Sequence, residues 1–111
     1  MMVQISLFLL ALAAPASADD WSAMTGDEIK TALNGITLEY ASATQSFSAD
    51  GSTGYVAGRP SYGAWEVRGD QYCSVWPPSD HWACYDMMQK PGQLRFIGGA
   101  GDITDGQIKS P

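Results

Sequence analysis

The chain has 111 residues, enough for one domain with one modest core and too few for two. Twelve acidic side chains stand against six basic ones, a net charge of −6 at neutral pH. That balance argues against nucleic-acid binding and against an anionic membrane surface, since both draw much of their affinity from a basic face.

The chain opens on a targeting segment. Ile5 to Ala14 form an apolar run too short for a bilayer, which needs about 20 residues. Pro15 and the small-x-small triplet Ala16-Ser17-Ala18 follow, the pattern that signal peptidase reads, although Met1 to Ser6 contain no Lys or Arg. This predicts a signal peptide over 1–18, cleaved after Ala18, and a periplasmic or secreted domain over 19–111. No stable membrane insertion is expected after cleavage. The two cysteines, Cys73 and Cys84, fit an oxidising compartment and read as a disulfide. They are not spaced as Cys-x-x-Cys, and no second Cys or His pair completes a metal shell. No metal is expected.

A short helix opens the mature domain. Thr25-Gly-Asp-Glu28 is a capping box, with Met24 and Ile29 placed as a hydrophobic staple. Ile29, Ala32 and Leu33 make a narrow apolar stripe, and Gly35 supplies a left-handed stop. Strands follow. Ile36 to Tyr40 alternates, and Gln45 to Ala49 does so weakly. Turn signals at Asp50-Gly51, Gly58 to Ser61, Gly69-Asp70 and Lys90 to Gly92 separate Thr53–Ala57, Tyr62–Arg68, the cysteine hairpin and Gln93–Gly98. Ile103 to Lys109 is read as a last strand. Short strands about 8–12 residues apart with turns between them indicate an antiparallel meander. The expected fold is mainly β with one short N-terminal helix, the meander curling into a small barrel or half-barrel held by one disulfide.

The hairpin over 71–85 has an arguable register. If Cys73 faces Cys84, then Ser74 pairs with Ala83, Val75 with Trp82 and Trp76 with His81, with Pro77-Pro78-Ser79-Asp80 at the tip. Cys73, Val75, Trp82 and Cys84 then share one face; Tyr72, Ser74, Trp76, His81, Ala83 and Tyr85 share the other. Closing so short a loop is worth about 2–3 kcal/mol in the chain-entropy description. Aromatic side chains with polar tips suit a ligand groove. Tyr62, Trp65, Trp76, His81, Trp82 and Tyr85 are the candidate ligand-binding residues, with Tyr55 beside them; the alternative places these rings in the core. No catalytic residue is assigned.

The stretch from Gly63 to Tyr85, with its Gly-x-Trp, Tyr-Cys, Trp and Cys-Tyr elements, resembles a group of small exported proteins of gram-negative bacteria. The Gly26–Gly35 helix, Gly-x-Glu-Ile-x-x-Ala-Leu-x-Gly, and the ending Leu94-Arg-Phe-Ile-Gly98 with Gly101-Asp102-Ile-Thr-Asp-Gly106 are similar as well. Some members of the group carry the label dihydrodipicolinate reductase, which implies an NAD(P)H oxidoreductase. The residues point elsewhere. A dinucleotide site needs a helix after its glycines and an acidic residue about 20 positions on. Here ten residues follow Gly101, broken by Gly106 and Pro111. The glycines read as a turn, and no cofactor is expected.

The remaining signals are sparse. Asp80-His81 would be the centre of a hydrolase, but neighbouring residues point in different directions. Asp102, Asp105 and Gly106 lack the alternating ligands of a calcium loop. The expectation is a monomeric, acidic binding or interaction module that takes a small molecule or an envelope protein on its aromatic face. The alternatives are an enzyme, by the reductase label or through Asp80-His81, and a structural envelope protein without ligand.

Overall fold

A computed structural model describes residues 20–109. The expected signal peptide, its cleavage point and Asp19 lie outside the described residues. Strand β1 (Ser22–Ala23) leads into helix α1 (Gly26–Leu33). The capping box forms: Glu28 N–H donates to Thr25 Oγ1 (3.2 Å) and Thr25 N–H donates to Glu28 Oε1 (2.9 Å). Met24, Ile29 and Leu33 are buried as the apolar stripe requires, and Gly35 turns the chain at φ +79°.

Eight strands follow: β2 (Thr37–Glu39), β3 (Thr44–Phe47), β4 (Ser52–Ala57), β5 (Arg59–Arg68), β6 (Gln71–Val75), β7 (Ala83–Lys90), β8 (Gln93–Ile97) and β9 (Ile103–Ile108). Each pairs antiparallel with the next. The ring then closes, because β9 also pairs with β2 through Leu38↔Ile108 and Glu39↔Gln107. Lys109 N–H to the Thr37 carbonyl (2.9 Å) extends this seam. The meander is therefore a closed eight-stranded up-and-down barrel rather than a half-barrel, and closure removes the free edges an open sheet would expose.

Alternation along each strand decides what enters the barrel. Leu38, Phe47, Met87 and Leu94 point inward and are almost fully buried. Ile29 and Leu33 of α1 join the same cluster, so the helix closes the end of the barrel that carries the β3–β4, β5–β6 and β7–β8 turns. Its first N–H, on Gly26, donates to Asp70 Oδ1 at 2.8 Å. A Cβ on Gly26 would lie 2.1 Å from the Gly69 carbonyl oxygen, so glycine is what lets the helix start sit against the β5–β6 turn.

Cys73 and Cys84 are bonded and lie directly opposite, with Cα atoms 4.0 Å apart and Ser74 facing Ala83. Two of the expected pairings are corrected. β6 ends at Val75 and β7 begins at Ala83, so Val75–Trp82 and Trp76–His81 are not ladder pairs. Two consecutive prolines supply no N–H for a ladder. The chain instead turns over Trp76–Ser79, with Ser79 N–H on the Trp76 carbonyl (3.0 Å) and a cis Pro77–Pro78 bond. The break expected over Gly58 to Ser61 narrows to Gly58, and Pro60 pairs with Val56 within the β4–β5 hairpin. The glycine run after β8 makes a tight turn, with Gly98 N–H on the Asp102 carbonyl (2.8 Å), and leads into a strand rather than a helix.

Candidate functional site

With α1 at one end, the other end of the barrel is open, and a cavity of about 420 Å³ sits in its mouth. Its aromatic wall comes from Tyr40 after β2, Tyr55 on β4, Trp76 after β6, Tyr85 on β7 and Phe96 on β8. The rings touch in sequence. Centroids are 6.1 Å apart for Trp76–Tyr55 and Tyr55–Tyr40, and 6.3 Å for Tyr40–Phe96 and Phe96–Tyr85. Neighbours are tilted or edge-on, so they form a collar around the opening rather than a stack. A missing side chain makes room for the indole: a Cβ on Gly63 would lie 2.8 Å from the Trp76 ring, so only glycine lets that ring lie across β5.

The floor is polar and already paired. Gln45, 6% exposed, accepts from the Tyr40 hydroxyl at 2.7 Å and donates through Nε2 to Thr53 Oγ1 (2.9 Å) and the Tyr72 hydroxyl (3.2 Å). The Thr53 hydroxyl in turn donates a hydrogen bond to the Ser46 carbonyl (2.7 Å). Trp76 Nε1–H donates to Ser74 Oγ (3.2 Å), which fixes the indole. Burial drives the Tyr40 phenol well above its ordinary range, reinforced by the neighbouring phenols of Tyr72, Tyr55 and Tyr85. Burial also raises Tyr72, against hydrogen bonds from Ser74 and Gln45. Both are neutral phenols at physiological pH.

Two phenols of the collar, Tyr55 and Tyr85, have no hydrogen-bond partner among the described residues. Among the described residues no charged side chain lines the cavity. The site can therefore enclose a largely apolar body, donate to or accept from it at two phenols, and offer π density; its described lining has no cation to pair with an anion.

A larger hollow of about 530 Å³ lies outside the barrel, between the start of α1 and the β3–β4 turn. Two of its carboxylates are paired: Asp70 caps Gly26, and Asp50 accepts from the N–H and hydroxyl of Ser52. Those Ser52 bonds hold the Asp50 carboxyl below its usual range. Asp27 and Lys30 of α1 also line this hollow, which lies where the helix is anchored to the barrel.

Of the six candidate residues, the structure brings Trp76 and Tyr85 together in the cavity. Trp65 lies in the core, 6% exposed, edge-on to Phe47 and donating its indole N–H to the Ser48 carbonyl (3.0 Å). Tyr62 is 71% exposed on the outside of β5. His81 is exposed on the β6–β7 connection, as is Asp80, and neither lines the cavity. Trp82 lies outside the barrel with the Arg68 guanidinium 4.5 Å over its ring. Tyr40, Gln45, Tyr72, Ser74 and Phe96 belong to the site without having been singled out as binding residues. The available signal was alternation, since Tyr72, Ser74, Trp76 and Tyr85 fall on one face of the hairpin. Tyr40 and Phe96 needed the barrel to close before they met that face.

Comparison with known protein families, with curated proteins and with solved structures finds no match.

Proposed function

We propose that the protein is a small exported binding module that holds a compact ligand in the mouth of its barrel. One observation carries this reading: an aromatic collar stands over a satisfied polar floor and leaves the Tyr55 and Tyr85 hydroxyls without partners among the described residues. A purely structural core has no reason to stay open at that level, because unfilled interior forfeits packing. The disulfide supports an oxidising compartment, in keeping with a leader over 1–18 and with the exported group the chain resembles. In this reading the domain works as a monomer.

Trp76 reports on the site. Of the four tryptophans only Trp76 lines the cavity; Trp21 packs outside between Lys90 and Arg95. The oxidised mature chain is titrated with a panel of compact neutral aromatic and aliphatic compounds, following emission and thermal unfolding. A ligand gives a saturable emission change that Trp76→Phe removes, and raises stability by about 2.7 kcal/mol at a hundredfold excess over its Kd. The filling variant Thr104→Trp abolishes both. Absence of any saturable response, or responses indifferent to Thr104→Trp, refutes a ligand cavity.

A further inference from the structure

The lining of the cavity says more about its ligand than size alone. Five rings from five different strand positions surround one opening, and their hydroxyl-bearing members add oxygen lone pairs to the π systems. The Tyr40 proton is committed to Gln45, so its oxygen faces other partners only as an acceptor. Among the described residues no Lys, Arg or His lines the space. The helix, with its positive N-terminal end, lies at the opposite end of the barrel, where Asp70 already occupies it. Among the described residues the mouth thus offers no cation to an anion, and it offers π faces and oxygen lone pairs to a positive charge.

We propose that the cavity binds an organic cation of the quaternary ammonium class, held by cation–π attraction to the aromatic collar. This rests on the reading of the cavity as a binding site. A primary ammonium is a poor fit, because its three N–H donors need carboxylate or carbonyl acceptors and no described residue lends the lining a carboxylate. A methylated ammonium has no N–H to satisfy, sheds water cheaply and spreads its charge over methyl groups that pack on rings. The volume of about 420 Å³ leaves room for the head group together with a short carrier. The chain's net charge of −6 favours the approach of a cation. Trp76 and Tyr55, in contact with each other at the collar, are the residues expected to hold the charge.

The test compares choline with 3,3-dimethyl-1-butanol, which has the same shape and no charge, by calorimetry on the oxidised mature chain. Choline is expected to bind at least about tenfold tighter than the neutral analogue. Trp76→Leu and Tyr55→Leu each weaken choline by about the same factor, whereas Tyr55→Phe retains most of the affinity and Tyr62→Leu, outside the barrel, changes nothing. Thermal unfolding of each variant separates lost binding from lost fold. Equal binding of the two probes overturns the cation assignment and leaves a ligand cavity standing. Binding of neither overturns the assignment as well, and the neutral panel then decides separately whether the cavity binds at all.

Discussion

Gln45 illustrates what single residues do here. In the sequence it is one polar position in a weakly alternating segment; in the barrel it is a buried amide joining Tyr40, Thr53 and Tyr72. Unmade, those bonds would leave several buried polar groups at about 1–3 kcal/mol each. The phenols beside it carry a consequence for pH. Tyr40 and Tyr72 ionise above the ordinary 10.0 in the folded state, chiefly because burial penalises the phenolate. In the unfolded chain they lose protons near that ordinary value. The folded state then holds more protons than the unfolded one, so their contribution is complete below pH 10 and declines as pH rises beyond it. Denaturant unfolding followed against pH should show an alkaline loss of stability that Tyr40→Phe reduces. Ultraviolet titration should show phenols that ionise only as the fold opens; all five tyrosines titrating together in the folded protein would contradict this.

Helix α1 has eight residues and is too short to persist alone, so its stability comes from what it touches. Its inner face was legible from Ile29, Ala32 and Leu33. Its anchorage was not, because Asp70 lies 44 positions away and read only as part of a turn. Asp70 acts as an external cap for the Gly26 N–H. Asp70→Ala should cost about 1 kcal/mol in chemical denaturation, in the range of lost N-caps, while Asp70→Asn keeps the acceptor and most of the stability. Equal losses in the two variants would mean that the turn, and not the cap, sets the effect. The hairpin makes the same point in reverse: the disulfide and the Ser74–Ala83 pairing were readable from spacing, but the prolines ended the ladder sooner than alternation suggested.

At the scale of the whole molecule, closure is the decisive event. Strand β9 must return to β2, joining Leu38 to Ile108 across most of the described residues, and contacts so distant in sequence slow folding. The same seam positions the cavity, because Thr104 and Tyr40 come from the two strands it joins and Phe96 from the strand beside it. A chain ending at Asp102 should lose the seam, expose the edges of β2 and β8, unfold without a single cooperative transition and self-associate by light scattering. A monomeric, cooperatively unfolding truncation would show that the barrel does not depend on its last strand.

Local order was largely written in the sequence. The capping box, the apolar stripe, the strand periods, the turn glycines and the cysteine pairing depend on residues near in sequence, or on a hairpin only 11 positions across. The mouth of the barrel was decided by tertiary structure. Alternation says that Tyr40, Tyr55, Tyr72, Tyr85 and Phe96 each face one side of a strand, but not at which height, and height depends on how the eight strands stagger as they close. In the cysteine hairpin alternation already separated the aromatics, and closure made one of its faces the inside: Trp76 and Tyr85 turned into the cavity, while Trp82 stayed outside under Arg68. A sheet that curls has an inside and an outside, and only the completed ring assigns each ring-bearing side chain to one of them.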